Sequence, residues 1–432
     1  MNITGSYQSM FRIPELKKRL LFTAMILVVY RLGGHITTPG VDLDAIRRFF
    51  EGQQGTLVGL YDMFAGGNLS QATIFALGIM PYISASIILQ LLQAVIPYFE
   101  KLAKEGDEGR KKINQYTRFG TLGLALVQSF GISFALEGMG VVQSPGIAFK
   151  LVTMLTLTTG TMFVMWLGEQ ITENGIGNGI SLIIFIGIIA RYPTDILNTF
   201  QYLRTGQMPW FTAVFVIVFM VIVIAGIIAI TQGQRRIPVQ YAKKIVGRRV
   251  YGGANTHIPL RVNTAGVIPI IFAQSIIMFP GTLGAFFQNN AFMESLANMF
   301  RPPHVVYVVV YSSLIILFTY FYTAVILNPV DLADNMKKNS GFIPGVRPGK
   351  KTAEYIDRVL TRVTLPGAFF LAAIAVMPDL MIYFLNVPFQ FGGTGLLIVI
   401  GVGLDTLQQI ESHLVMRHYD GFMTKGKLRA RR

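Results

Sequence analysis

The sequence contains no cysteine, and only 14% of its 432 residues are charged. Without cysteine there can be no disulfide, thiolate zinc site, iron–sulfur cluster or cysteine nucleophile. A soluble domain carries about 25% charged residues, whereas this chain is 52% hydrophobic with a mean hydropathy of +0.52. One soluble core cannot bury that much apolar surface, so the composition indicates an integral membrane protein.

Acidic residues are scarce beside the basic ones, with 22 Asp and Glu against 37 Lys and Arg and a net charge of +15. A basic excess can attract nucleic acid, but it also arises when Lys and Arg collect in the cytoplasmic loops of a membrane protein. The positions of the basic residues along the chain therefore decide between the two interpretations.

Ten apolar runs approach the length of about 20 residues that a helix needs to cross the hydrocarbon. Residues 211–230 form the clearest run, with no charge and one polar residue, Thr212. Several runs are short or interrupted by Gly or Pro, which predicts a packed bundle in which neighbouring protein satisfies the backbone. The predicted spans are 20–36, 71–96, 116–136, 147–167, 179–190, 211–230, 265–287, 305–327, 363–385 and 392–410.

The distribution of Lys and Arg predicts the orientation of these spans. Ten spans place both termini on one side, and that side holds thirty of the 37 basic residues. Basic residues concentrate in cytoplasmic loops, so both termini are predicted to be cytoplasmic. Arg31 interrupts the first run and no small-residue cleavage pattern follows, which favours an uncleaved span over a signal peptide. The other side holds five basic residues, Arg47, Arg48, Arg191, Arg204 and Arg301.

Two long connections, residues 231–264 and 328–362, are polar and basic. The cytoplasmic bias, together with attraction to anionic lipids, explains this charge. A docking surface for a large cytoplasmic partner explains it equally well, and the sequence alone leaves both interpretations open. The first connection has no acidic residue and carries Arg235, Arg236, Lys243, Lys244, Arg248, Arg249 and Arg261.

Motifs for catalysis, metal binding or nucleotide binding are not found. Residues 345–352 (GVRPGKKT) have one residue fewer between their glycines than a Walker A loop requires, and Pro348 removes a backbone donor. The five histidines are scattered without metal-ligand spacing, and no G-x-S-x-G motif occurs. The chain is therefore predicted not to be an enzyme, to need no cofactor and to bind no nucleotide directly.

The ionisable candidates for a transport pathway in or near the predicted spans are Arg31, Glu169, Asp379 and Asp405. Such groups are costly inside a membrane and often mark a transport pathway. Helix-to-helix hydrogen bonds or snorkelling also explain them, and we favour that interpretation. A secondary transporter of a small solute, with Asp405 as a coupling residue, stays as the alternative function.

Residues 61–70 (YDMFAGGNLS) form a short apolar piece that Gly66, Gly67 and Asn68 interrupt before the second run. The piece is too short to cross a membrane. A re-entrant half-helix buried in protein and the end of an interfacial loop are both compatible with it.

Five stretches resemble one family: residues 55–92, 159–185, 234–244, 262–276 and 341–357. They include LYDMFAGGNLSQATIFALGIMPYISASIILQLL, WLGEQITENGIGNGIS and GFIPGVRPGKKTAEYID. The chain closely resembles the SecY/Sec61-alpha family, whose bacterial members form the channel of the Sec preprotein translocon. The similarity extends from about Pro14 to the last predicted span.

The resemblance implies an all-α polytopic membrane protein with ten transmembrane helices and a re-entrant plug helix. These helices form two pseudo-symmetric, inverted five-helix halves around a central pore, as in other conducting membrane proteins. The N-terminal half covers residues 1–192, an external hinge connection covers 193–208, the C-terminal half covers 209–415, and a basic cytoplasmic tail covers 416–432.

The resemblance also implies site residues. Spans two, three, seven and eight match the lateral gate, and Arg347, Arg248 and Arg249 match positions that dock the motor and the ribosome. A ring of aliphatic side chains at the waist of the pore matches Ile79, Ile83, Ile180, Ile184, Ile271 and Ile398. The plug matches Tyr61, Asp62, Met63, Phe64, Ala65, Gly66, Gly67, Asn68, Leu69 and Ser70.

The implied function is a protein-conducting channel subunit in the bacterial cytoplasmic (inner) membrane. It would translocate unfolded preproteins with a signal sequence and release membrane segments laterally into lipid. The implied partners are a SecE-like clamp subunit, a SecG-like accessory subunit, the SecA motor ATPase, the ribosome and anionic lipids.

Overall fold

The computed structural model describes residues 13–51, 57–206, 208–241, 244–246, 249–251, 255–286, 295, 299–300, 302, 304–385 and 393–425. The helices of the first half of the chain are α1 (Pro14–Gly33), α2 (Leu43–Glu51), α3 (Leu57–Phe64), α4 (Met80–Val95), α5 (Pro97–Lys104), α6 (Asp107–Gly138), α7 (Ile147–Asn174), α8 (Gly179–Ile189) and α9 (Tyr192–Arg204). They are followed by α10 (Trp210–Gln232), α11 (Ile268–Phe286), α12 (Val305–Ile326), α13 (Pro329–Lys338), α14 (Lys350–Leu385) and α15 (Gly393–Lys425).

The described residues also form five short strands, all within the two long connections. They are β1 (Gln234–Tyr241), β2 (Lys244–Val246), β3 (Arg249–Tyr251), β4 (Asn255–Arg261) and β5 (Gly341–Phe342). Strands β4, β1 and β5 form one antiparallel sheet in that order, and β2 pairs with β3. The prediction of a helical, polytopic membrane protein is confirmed, with strands confined to these connections in the described part of the chain.

Six helices of the described residues are long and apolar enough to cross a membrane, or seven if α4 and α5, which meet at a bend of 99°, count as one span. Every one of the ten predicted runs lies at least partly in a helix. The number of spans stays a prediction. The six helices are Asp107–Gly138, Ile147–Asn174, Gly179–Arg204, Trp210–Gln232, Val305–Lys338 and Lys350–Met381.

The chain forms two compact units. The first contains residues 1–198, 278–301 and 402–432, and the second contains residues 199–277 and 302–401. In the first unit, α6 packs against α4 and α7. The Ser129 and Thr158 hydroxyls lie 3.2 Å apart at the contact of α6 with α7. Small polar residues let helices approach closely and exchange hydrogen bonds in a membrane.

The second predicted span begins differently from its prediction. Residues 71–79 run as turns, and the helix starts only at Met80. The Ile74 amide donates to the Ile36 carbonyl at 2.9 Å, outside its own segment, and Gly78 adopts a left-handed φ of +57°. Irregular backbone at membrane depth requires surrounding protein, and Phe75 on this path is buried accordingly. The predicted single helix over 71–96 is therefore wrong in its first part.

The two long connections pack into a small module of the second unit, which the polarity of their sequences did not predict. Strand β1 buries Ile237 and Val239, whereas Arg236, Pro238 and Gln240 around them are exposed. This alternation is the signature of a half-buried strand, and it was readable in QRRIPVQY. The buried cluster consists of Ile237, Val239, Leu260, Met336, Ile343, Ile356 and Leu360.

Replacing Ile237 by Ala tests this cluster. Ile237 is 2% exposed, so the substitution leaves a cavity and should lower the free energy of unfolding of the module by about 2–5 kcal/mol. Limited proteolysis of the purified protein should then cut the 231–264 connection faster. Arg235→Ala on the exposed side of the same strand is the control and should leave the cleavage rate unchanged. Equal cleavage of the two variants would contradict the packing described.

Candidate functional site

The predicted plug is a short helix followed by a turn. Helix α3 runs from Leu57 to Phe64, so it begins four residues before the predicted segment. Gly66 and Gly67 then take φ values of +75° and +78°, a left-handed conformation that glycine adopts without steric cost. The Gly67 amide donates to the Asp62 carbonyl at 2.8 Å and closes the turn. We call residues 57–70 the plug segment.

The plug segment lies inside protein. Phe64 is 2% exposed and Ala65 is fully buried, although both belong to a piece too short to cross a membrane. An interfacial loop would leave these side chains in contact with headgroups and water. The burial favours a re-entrant half-helix.

Helix α1 holds the turn of the plug segment. The Arg31 guanidinium donates from Nη1 to the Gly66 carbonyl at 3.4 Å, and the Asn68 amide donates to the Tyr30 hydroxyl at 3.2 Å. The Tyr61 hydroxyl donates to the Leu77 carbonyl at 3.2 Å. Arg31, the charge within the first predicted span, thus makes the helix-to-segment hydrogen bond that we favoured over a coupling role.

An ion pair joins the plug segment to the end of α8. The Asp62 Oδ2 atom lies 3.3 Å from Arg191 Nη1, and Asp62 Oδ1 accepts from the Ser70 amide at 2.8 Å. The Asp62 side chain is 4% exposed and that of Arg191 is 29% exposed. Sequence reasoning missed this pair because 129 residues separate its members.

Four of the six predicted pore isoleucines lie in the first unit. Ile79 caps the start of α4, Ile83 follows one turn later, and both are buried. Ile180 and Ile184 are also one turn apart, on α8, with Ile180 half-buried and Ile184 buried. Residues four apart share a helix face, so each helix presents one pair.

The plug segment lies next to both helices that carry these pairs. A Cβ on Gly78, the residue before Ile79, would lie 3.1 Å from the Ala65 Cα. A Cβ on Gly66 would lie 2.9 Å from the Cα of Gly187, three residues after Ile184. Glycines at these points allow backbone to approach backbone, which places the segment against α8 and the start of α4.

The other two predicted pore isoleucines lie in the second unit. Ile271 is 6% exposed on α11, where its carbonyl accepts from the Ser275 hydroxyl at 2.9 Å. Ile398 is fully buried on α15. Gln274, three residues after Ile271, is buried as well.

The turn between α7 and α8 is tied to two other helices. The Ile176 amide donates to the Thr23 hydroxyl of α1 at 3.1 Å, and the Gly177 amide donates to Gln409 Oε1 of α15 at 3.0 Å. Asn178 then caps α8 by accepting from the Ile180 amide at 3.1 Å. Gly175 and Gly177 therefore lie in a tight turn between α7 and α8.

Two of the acidic residues flagged near span ends have partners on neighbouring helices. Glu169 binds both Arg118 Nε and Nη2, at 2.9 and 2.8 Å. Asp379 accepts from the Tyr307 hydroxyl at 3.1 Å. These contacts match the helix-to-helix hydrogen bonding that we favoured over a transport pathway.

Arg347, the first predicted docking residue, lies at the tip of a rigid turn. It is exposed. Gly345 and Gly349 on either side have left-handed φ values of +81° and +96°. The Thr352 hydroxyl donates to the Arg347 carbonyl at 2.9 Å, and Val346 packs on the buried cluster of the module. Arg248 and the Arg249 side chain lie outside the described residues.

Comparison with known proteins assigns the family. A sequence model of the SecY family matches residues 73–407. The chain belongs to the SecY family. Protein translocase subunit SecY of Aquifex aeolicus is 47% identical over 425 residues, which cover 97% of this chain and 99% of the relative. The SecY subunit of Escherichia coli K12 is 48% identical over 424 residues, 96% of each chain.

Solved SecY-type channels share the fold. The structure described as that of a protein conducting channel has a TM-score of 0.67 at 18% identity and covers 92% of this chain and 93% of its own. A structure reported for the plug domain of SecY also reaches 0.67, at 19% identity, covering 92% of both chains. Sec61 in the canine ribosome–channel complex reaches 0.61 at 18% identity, covering 94% and 96%.

The comparisons also bear on the function classes considered from the sequence. The SecY family is a family of translocation channels, so the expectation that the chain is not an enzyme is confirmed. Neither the relatives nor the solved structures support a secondary transporter of a small solute.

Proposed function

We propose that this chain is the pore-forming subunit of a protein-conducting channel. It passes unfolded preproteins across the bacterial cytoplasmic membrane and releases membrane segments laterally into lipid. The observation that carries this proposal is the buried plug segment, which packs beside Gly78 and Gly187, next to the isoleucine pairs of α4 and α8. A protein-conducting channel that is closed at rest needs a segment that blocks its pore, and the plug segment can supply it.

The waist of the pore is formed by the six isoleucines Ile79, Ile83, Ile180, Ile184, Ile271 and Ile398. Apolar walls offer no strong polar site that would trap a passing chain of any sequence, and a narrow apolar constriction sheds water and so excludes ions. The burial of five of the six side chains supports a constriction that is closed at rest.

Two five-helix halves, residues 1–192 and 209–415, move about the hinge connection at 193–208. Their separation opens a lateral gate lined by spans two, three, seven and eight. Both termini and the basic tail at 416–432 face the cytoplasm, because the basic residues concentrate on that side.

The energy for transport comes from partners, since the sequence carries no nucleotide-binding motif. A SecA-type motor and the ribosome dock on the basic module through Arg347, Arg248 and Arg249. The exposed position of Arg347 on a rigid turn supports this role, and solved ribosome–channel complexes share the fold. SecE-like and SecG-like subunits complete the complex in the membrane.

The decisive experiment uses proteoliposomes that contain the chain with its small clamp partner. The motor, ATP and a radiolabelled preprotein are added outside, and protection of the preprotein from protease is scored. We expect protection that requires both ATP and the signal sequence. An intact, motor-binding complex that gives no protection would refute the proposed function, and a preprotein without its signal sequence is the matched control.

A further inference from the structure

The plug segment carries one charge, and that charge is buried. Asp62 is the only charged residue between positions 57 and 70, and its side chain is 4% exposed. A carboxylate is costly to bury unless it is paired and hydrogen-bonded. A segment whose only task was to fill space would be best served by apolar residues, so the carboxylate needs a separate explanation.

The Asp62 carboxylate forms an ion pair at the end of α8 and also a hydrogen bond within the plug segment. One carboxylate oxygen lies 3.3 Å from Arg191 Nη1, and the other accepts from the Ser70 amide at 2.8 Å. The Arg191 amide donates to the Ile188 carbonyl at 3.2 Å, so its backbone continues the last turn of α8. The ion pair therefore joins both ends of the plug turn to a helix that carries pore isoleucines.

We propose that Arg191 is a positioning residue that holds the plug segment in its closed position through the ion pair with Asp62. The inference rests on the proposed function of the segment as the seal of the pore. Removal of Arg191 leaves a buried, unpaired carboxylate in the closed state. Displacement of the segment lets water solvate that carboxylate, so the population of open channels increases.

A single and a double substitution separate the effect of the charges from the effect of side-chain packing. Arg191→Gln leaves the carboxylate unpaired, whereas Arg191→Gln combined with Asp62→Asn removes both charges. The asparagine side chain at position 62 of the combined variant keeps an oxygen that can accept from the Ser70 amide. A role that depended only on the bulk of Arg191 would make the combined variant at least as leaky as the single one.

The measurement is the ion conductance of the resting complex in planar bilayers, without preprotein or motor. We expect Arg191→Gln to raise the resting conductance about tenfold, and the combined variant to return most of the way to the unaltered value. Arg191→Lys, which keeps the charge, should stay within about twofold of the unaltered channel. Equal conductance of Arg191→Gln and the unaltered channel, or a combined variant as leaky as the single one, would overturn the proposal.

A second ion pair in the same unit gives the matched control. Lys150 Nζ lies 2.7 Å from Glu137 Oε2, and the two side chains are 22% and 24% exposed. Among the described residues, no hydrogen bond or ion pair joins either side chain to the plug segment. Lys150→Gln should leave the resting conductance unchanged. A conductance increase in this variant equal to that of Arg191→Gln would assign the leak to general destabilisation and overturn the proposal.

Deletion of residues 57–67 separates this inference from the proposed function. If the deletion raises the conductance and Arg191→Gln does not, the plug segment closes the pore but the ion pair does not hold it there. A deletion that leaves conductance unchanged would refute the sealing role itself. Recovery of the intact complex is checked for every variant, and Arg191→Lys keeps the test valid if Arg191→Gln assembles poorly.

Discussion

A channel with Ile83→Asn and Ile184→Asn together is expected to leak ions at rest, with a conductance at least about tenfold above that of the unaltered complex. Both isoleucines are buried, at 4% and 2% exposure, on helices that pack beside the plug segment. An amide at each position offers hydrogen bonds to water, so the constriction stays wet and conducts. Planar-bilayer recording of the complex without preprotein measures the effect.

The control for this prediction keeps the walls apolar. Ile83→Leu with Ile184→Leu changes shape but not polarity, and volume-conserving exchanges of this kind cost less than about 1.5 kcal/mol. We expect this variant to remain closed to ions. If the asparagine pair conducts no more than the leucine pair, these two isoleucines do not form the ion barrier.

The second large effect is expected at the basic module. Arg347→Glu reverses a charge on an exposed turn, and opposing like charges across an interface cost several kcal/mol. Motor-driven export should therefore fall at least about tenfold. The fold should persist, because Arg347 is exposed and its described hydrogen bond is made by the backbone carbonyl.

Export is measured by protease protection in proteoliposomes, and motor binding is measured on the same vesicles. Arg204→Glu is the matched charge reversal, since Arg204 is also exposed and is predicted to face the external side. It should leave export intact. Full export by Arg347→Glu would exclude this arginine from docking. Lost export with normal motor binding would show that Arg347 acts in a step of export after the motor has bound.

The sequence predicted the helices where composition alone decides the structure. Residues 211–230 contain no charge, and the helix found there runs from Trp210 to Gln232. Residues 305–327 similarly match the helix Val305–Ile326, which ends before Pro329. A long apolar run folds as a helix in a membrane, because a helix gives every internal amide and carbonyl a hydrogen-bond partner within the run.

The sequence did not predict features that depend on contacts between distant residues. The late start of α4 depends on the hydrogen bond from Ile74 to Ile36, and the ion pair of Asp62 with Arg191 joins residues 129 positions apart. Neither leaves a periodic pattern. The candidate pore, plug and docking residues came from family resemblance, since a buried isoleucine in a pore has the same local sequence as one in any core.

The hydrogen bond from the Gly177 amide to Gln409 Oε1 restricts the insertions and deletions that the turn after α7 can accept. The turn after α7 has a glycine with φ +89° at Gly177 and binds both α1 and α15. One inserted residue would move the Gly177 amide away from its acceptor and rotate the capped start of α8. Surface loops usually tolerate insertions and deletions, but we expect relatives of this chain to keep the length of this connection fixed.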